Sequence, residues 1–368
     1  MRIPNNFPII SFYTGGGFLD MGFEEAGFNI VWTNEYDQAF AKLYSSGISS
    51  WRKSTGYIGE AVITNTNSIT EITVDEILKE TKLLNENFGV IGGPPCQDFS
   101  NNGRQRGFDG ERGKLTIEFL NKISQLKPSF FVMENVKNLI RRKDFKQFLF
   151  SLLAKLKDYY IDHDILNALD FGVPQFRERV FIVGFRKDFL KNEPINESKW
   201  FPFPMGNKYY NAYHKYDWPK MVIKDEEIIK PKDIPSELFI ENYLIEDNHI
   251  DLIPNANEIC KIYTDVNKIT NILEGETNRP SFKRLHRFRF SPTACYGNNE
   301  VHLHPYKNRR LSVRETLRIQ GVPDTYILPN DVSLTKKFRM IGNGVPPPLS
   351  KSMACSLKDF IHSSTKIK

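Results

Sequence analysis

No stretch of this 368-residue chain approaches the roughly 20 consecutive apolar residues that a membrane-spanning helix needs. The opening "MRIPNNFPIISFY" holds one short apolar run that passes straight into glycines. It lacks a signal-peptide cleavage pattern and reads as a first core strand. Cysteine is scarce. Cys96, Cys260, Cys295 and Cys355 lie far apart and form no CxxC pair, which argues against a zinc site or a disulfide framework. Such usage suits a reducing, cytoplasmic setting in which a reactive thiol stays available. Internal repeats and low-complexity tracts are missing too. What is present is enough apolar sequence to bury a core: 40% of residues are hydrophobic and 26% charged.

The net charge of +6 permits a nucleic-acid partner without requiring one. Its distribution says more. Between Ser281 and Arg318 there are nine Lys/Arg against Glu300 and Glu315, whereas Asp225 to Glu258 carries ten acids against Lys230 and Lys232. Charge runs are ordinarily solvated surface. A polyanion would have to meet the first segment and avoid the second.

Short apolar runs at Pro8 to Tyr13, Ile30 to Trp32, Phe88 to Ile91 and Phe130 to Met133 read as buried parallel strands. Between them, Leu115 to Leu126 and Asp144 to Leu156 repeat apolar residues at helical spacing. This alternation predicts an α/β fold with a doubly wound, mostly parallel sheet. Ile161 to Leu166 and Val180 to Phe185 suit an antiparallel hairpin at one sheet edge. After Arg186 the texture turns aromatic, Pro-rich and aperiodic, and regular patterning returns near Ser312. The expected division is 1–187 plus 335–368 as one domain and 188–334 as a smaller, irregular lobe. Aromatics between Trp200 and Trp218 read as a small core, and His302 and His304 as lining residues; no metal site is expected.

In "FYTGGGFLDMGFEEAGF", Gly15 and Gly17 follow a strand and precede a helix, and Glu35 ends the next strand. Glycines let the backbone turn tightly against a ligand, and the acid can accept from ribose hydroxyls. A glycine cluster alone is more often a plain tight turn. The third glycine of a pyrophosphate fingerprint is absent, since Phe18 stands there. A phosphate-free adenosyl group such as S-adenosylmethionine fits that better than a dinucleotide.

"VIGGPPCQDFS" stops a strand at two glycines and two prolines and then delivers Cys96. Most lone cysteines are small buried hydrophobes. Here Pro94 and Pro95 stiffen the approach, and a Gly-punctuated segment carrying Arg104, Arg106, Arg112 and Lys114 follows. Glu134 ends the next strand in "FFVMENVKNL". Carboxyl ends of neighbouring parallel strands share one crevice, so thiol and carboxylate should meet. Gln175, Arg177 and Arg179 alternate and project to one side in extended chain.

Taken in order, these motifs resemble those of the DNA (cytosine-5)-methyltransferases of bacterial restriction-modification systems. "GGPPCQDFS" resembles the Pro-Cys-Gln motif, "ENV" the Glu-Asn-Val motif and "QFRER" the Gln-x-Arg-x-Arg motif. "RRLSVRETLRIQGVPD" and "IGNGVPPPLSKSMA" resemble the two C-terminal motifs. The resemblance implies a Rossmann-like, S-adenosylmethionine-dependent fold with a target-recognition lobe over 188–334. It implies methyl transfer to carbon 5 of a flipped cytosine in duplex DNA through a covalent Cys96 adduct. Glu134, Arg177 and Arg179 would complete the catalytic set. Tyr13, Gly15, Gly17, Glu35, Tyr36, Ser68, Pro95, Leu115, Asn343 and Val345 would bind the cofactor. Gln97, Ser100, Arg104, Arg106, Arg112, Gln175, Arg287, Arg289, Arg309 and Arg310 would face DNA, with Arg309 and Arg310 equally suited to structural pairs.

Three departures stand out: Ser11 where an acid is usual, Phe18 for a common glycine, and "TNSIT", with Asn67 or Ser68, for an acidic motif. The implied protein is a cytoplasmic bacterial monomer working at the nucleoid, with room for a separate cognate restriction endonuclease. Two rivals are a tRNA cytosine methylase and a non-catalytic DNA-binding module. Gln97 and Asp98 follow the cysteine where tRNA-modifying relatives usually carry Phe-Thr, and no catalytic residue is missing, so both fit less well.

Overall fold

The computed structural model describes residues 6–56, 61–95, 111–194, 199–222, 227–262, 266–293, 296 and 301–366, without the side chains of 111, 112, 266 and 267. Four parallel strands open the chain: β1 (Phe7–Phe12), β2 (Phe28–Asn34), β3 (Gly89–Gly92) and β4 (Phe130–Val136). They alternate with α1 (Phe18–Glu25), α2 (Gln38–Ser54), α3 (Val74–Thr81) and α4 (Glu111–Leu126). Helices α5 (Asn138–Arg141) and α6 (Lys143–Leu153) lead to β5 (Tyr159–Asn167) and β6 (Glu178–Arg186). The sheet order is β2-β1-β3-β4-β6-β5, with β6 antiparallel to both β4 and β5. The hairpin expected at the edge is there, its second strand tucked inside the first.

Side-chain alternation makes the sheet bury both faces. Phe130 and Val132 of β4 join one core with Leu19 and Phe23, while Phe131 and Met133 join another with Phe119, Ile123 and Leu149. Both faces are covered by helices, which is why these strands read as unbroken apolar runs. Strand order reverses between β1 and β3, and at such a switch point the loops at the carboxyl ends diverge and leave a crevice. The loops there are Tyr13–Gly17 and Gly93–Pro95.

Beyond β6 come α7 (Ala212–Lys215), α8 (Val266–Thr270) and the two-residue strands β7 (Lys283–Arg284) and β8 (His302–Leu303). Then follow α9 (Val313–Ile319), α10 (Leu334–Asn343) and α11 (Pro347–Ser364). The lobe has its own core of Trp218, Phe239, Phe288 and Phe290, whereas Trp200, Phe201 and Phe203 pack on the main sheet. Buried Arg284 donates to the carbonyls of Ile269, Ile272, His304 and Lys307 at 2.7–2.9 Å, replacing regular structure as the lobe's organiser. Helix α11 returns to α1, where Ser350 Oγ donates to Leu19 O at 2.6 Å. The stretch before 335 does not all stay in the lobe. Val313, Leu317, Val322 and Tyr326 pack with Phe18, Tyr44 and Ile48 of α1 and α2. Among the described residues, no helix is long and apolar enough to cross a membrane.

Candidate active site

The end of β4 carries the strongest chemistry. Glu134 is buried, and its Oε1 lies 3.0 Å from Arg179 Nε across the β4–β6 pair. Burial pushes the Glu134 carboxyl above the usual carboxylate range, against the pull of Arg179 and Arg177. The next strand end lies against it. A Cβ built on Gly93 would stand 3.0 Å from Glu134 Oε2, and Asn135 Nδ2 donates to Pro94 O at 3.1 Å. The chain leading to Cys96 is therefore tied to the carboxylate's own strand. Cys96, Gln97, Ser100, Arg104 and Arg106 lie outside the described residues, as does the Arg112 side chain.

Arg177 is fully buried and donates from Nη2 to Gly342 O at 2.8 Å. It holds the end of α10, and its charge acts on the Glu134 carboxyl. Gln175 was expected at DNA; the structure corrects this, since it is wholly buried behind Arg177.

The glycine turn gathers the cofactor candidates. Gly15 N–H donates to Glu35 Oε2 at 2.9 Å and Asp37 N–H to Oε1 at 2.8 Å, so Glu35 is fixed at the mouth of β2. Burial raises its carboxyl, partly offset by those two amides. Tyr36 beside it is 70% exposed, which leaves an aromatic face free to stack. Tyr13 donates its hydroxyl to Leu115 O at 2.8 Å, joining the turn to α4. Asn34 Nδ2 donates to Asn65 O and Asn67 O, both at 3.0 Å, drawing the Ser68 segment to the same edge. Ser68 itself pairs with Thr70. Pro95, exposed Asn343 and buried Val345 complete the rim, and α10 reaches it because Gly16 seats against Met340. An acid placed for hydroxyls and an exposed aromatic face together suit an adenosyl ligand.

Two residues of this region escaped the sequence reading. Tyr326, fully buried, donates to Gly16 O at 2.8 Å. Asp20, also fully buried, accepts from Ser11 Oγ at 2.7 Å. The spacing Ser-x8-Asp was its only trace. Burial pushes Asp20 up to about 7, against the Ser11 hydrogen bond and Arg52 and together with Glu24. A carboxyl raised on folding supports the fold below its unfolded value and loses that support as pH climbs through about 7. Thermal melts of Asp20→Asn and wild type should diverge accordingly, the variant gaining several degrees relative to wild type between about pH 5 and pH 8. A constant offset would refute this.

The lobe's arginines need a further correction. Arg287 forks onto Glu274 Oε1 and Oε2 at 2.9 and 2.7 Å, and Arg309 onto Glu315 at 2.7 Å twice. Arg289 donates to Pro219 O at 3.2 Å, and Arg310 lies over the Phe338 ring. A bidentate carboxylate inside the fold occupies the donors a phosphate would use, so Arg287 and Arg309 are structural. His302 and His304 are buried, and burial pushes His304 down to about 3.

Comparison with known proteins identifies the family. The family model for C-5 cytosine-specific DNA methylase matches residues 7–359. The type II methyltransferase M.NmeDI of Neisseria meningitidis serogroup C is 37% identical, over 96% of this chain and 84% of its own. M.FnuDI of Fusobacterium nucleatum is 30% identical, over 98% and 96%. The S. pombe Dnmt2 methyltransferase shares the fold at a TM-score of 0.60 and 14% identity, covering 97% of this chain and 98% of its own. A match running from the first strand almost to the end of the last helix, with the acid, arginine and glycine-turn geometry in place, makes this chain a member of the C-5 cytosine-specific DNA methylase family.

Proposed function

We propose that this enzyme methylates carbon 5 of a cytosine flipped out of a specific duplex DNA sequence, with S-adenosylmethionine as donor and Cys96 as nucleophile. The observation that carries the reading is the buried Glu134–Arg179 pair, set against Gly93 while Asn135 grips Pro94. Carbon 5 of cytosine is a poor nucleophile. A Cys96 thiolate adding to carbon 6 forms an S–C bond and pushes the ring's double-bond electrons toward carbon 5. Glu134, its carboxyl raised toward the protonated form, donates to ring nitrogen 3 and accepts from the exocyclic amine, spreading the charge that attack creates. Arg179 fixes the orientation of that carboxyl. S-adenosylmethionine, when bound, supplies an electrophilic methyl group. The carbon 5 proton then leaves to water or another weak base, the S–C bond breaks and the thiolate returns.

Tyr13, Gly15, Gly17, Glu35, Tyr36, Ser68, Pro95, Leu115, Asn343 and Val345 form the cofactor's surroundings in this reading, with Glu35 on the ribose and Tyr36 against adenine. Catalysis and cofactor binding belong to 1–187 plus 335–368, buttressed by α9, and target reading to the lobe between. Flipping costs a few kcal/mol of stacking and pairing, which DNA contacts must offset. The 97–112 segment and Arg289 and Arg310 are the candidates for those contacts. The protein acts as a monomer in the bacterial cytoplasm, with a cognate restriction endonuclease as a separate partner.

The test is incubation of the purified protein with tritiated S-adenosylmethionine and either duplex DNA or tRNA. Label is expected on DNA alone. Label on tRNA alone would make it an RNA methylase, and label on neither would favour the non-catalytic module.

A further inference from the structure

The glycine turn is conformationally expensive. Tyr13, Gly15 and Gly17 take positive φ values of 55°, 59° and 77°, and for a tyrosine that region is strained. The peptide between Gly16 and Gly17 is flanked on both sides by residues without a Cβ, so the backbone itself does little to fix the orientation of its plane. Both of its polar atoms are engaged. Gly17 N–H donates to Thr14 O at 2.9 Å, which closes the turn, and Gly16 O accepts from the Tyr326 hydroxyl at 2.8 Å. One side chain from 310 residues away thus holds the carbonyl end of this peptide.

Tyr326 is itself held rigidly. Its ring lies edge-on to Phe18 at 5.4 Å and is seated on Gly47, where a Cβ would come within 2.0 Å of it. Its carbonyl accepts from Arg314 Nη2 at 2.7 Å. Arg314 in turn donates from Nε to Pro254 O at 2.9 Å, and Asn255 Nδ2 donates to Leu328 O at 2.9 Å. The hydroxyl is therefore aimed by a buried lattice that begins in the smaller lobe and ends on the glycine turn.

We propose that Tyr326 is a positioning residue for the cofactor: its hydroxyl locks the Gly16–Gly17 peptide in the orientation that S-adenosylmethionine requires. This rests on the assignment of that turn to S-adenosylmethionine. The hydroxyl touches neither donor nor base, so its removal should be felt in cofactor affinity and not in chemistry.

Tyr326→Phe in the full-length enzyme keeps the ring and removes only the hydroxyl. Calorimetric titration with S-adenosylmethionine and steady-state kinetics with duplex DNA separate the possibilities. The expected result is a rise in cofactor Kd and KM of about ten-fold, the scale of one lost buried hydrogen bond. The kcat at saturating cofactor and the KM for DNA should stay near wild type, and the melting temperature should fall by no more than the few degrees that one buried hydrogen bond is worth. A cofactor Kd within about twofold of wild type would overturn the proposal. So would a parallel rise in the KM for DNA with a fall in kcat, which marks general loosening. Wild-type protein that fails to bind S-adenosylmethionine would overturn the cofactor assignment itself, and the proposal with it.

Discussion

Cys96→Ala should lower methyl incorporation into duplex DNA by on the order of 10⁴-fold or more, as removal of a covalent nucleophile does elsewhere. DNA affinity should stay close to wild type, because the thiol contributes attack and little binding. Tritium counting at saturating cofactor and DNA measures the first quantity, and gel shift the second. A second readout isolates the covalent step. In duplexes carrying 5-fluorocytosine the group at carbon 5 cannot leave as a proton does, so the S–C bond persists after transfer. Wild type should form a complex with such DNA that survives denaturing electrophoresis, and Cys96→Ala should form none. Retained methylation in the variant would remove Cys96 from the mechanism. In the proposed mechanism two fixed points beside Cys96 favour this thiol over Cys260 and Cys355. Pro94, two residues before it, is bound to Asn135, and the Glu134 carboxylate sits at Gly93. Cys355 lies on α11, which covers α1, and Cys260 is half-buried near Arg310.

The strands that position this site were legible because a parallel sheet covered on both faces leaves short, unbroken apolar runs, each ended by Gly, Pro or a charge. Val90–Ile91 before Gly92 and Phe131–Met133 before Glu134 are such cases. Glu35 was legible for a related reason: a strand–turn–helix–strand unit brings its two carboxyl ends together at a nearly fixed spacing. Partner choice between distant side chains has no such periodicity. Arg287 and Arg309 sit in a basic run that looks DNA-facing, but Glu274 and Glu315 reach them only once the lobe is folded. Tyr326 carries no sequence sign of its hydroxyl's target on Gly16. The helical pattern resuming at Ser312 was visible, while its packing onto α1 and α2 was not, because a short amphipathic helix does not encode which core it joins.

Arg179→Ala is expected to lower kcat about 10³-fold and to destabilise the fold in a pH-dependent way, and the two effects separate the arginine's roles. Breaking a buried ion pair leaves its partner uncompensated, at a cost of about 3 kcal/mol or more. Glu134 escapes part of that cost by protonating. Burial already raises its carboxyl and Arg179 is the larger of the two cations holding it down, so the variant raises it further. A folded-state pKa above the unfolded value supports stability at low pH and withdraws it as pH rises. The melting temperature of Arg179→Ala should therefore trail wild type more at about pH 8.5 than at pH 6. Adding Glu134→Gln should flatten that dependence, because an amide neither charges nor needs the cation, and it should recover stability without recovering turnover. If the double variant regained activity, Glu134 would be a structural acid and the charge at ring nitrogen 3 would have to be met by another group. A pH-independent loss of stability would instead assign Arg179 to packing, with its Nη1 bond to Glu178 O mattering more than its pairing with the carboxylate.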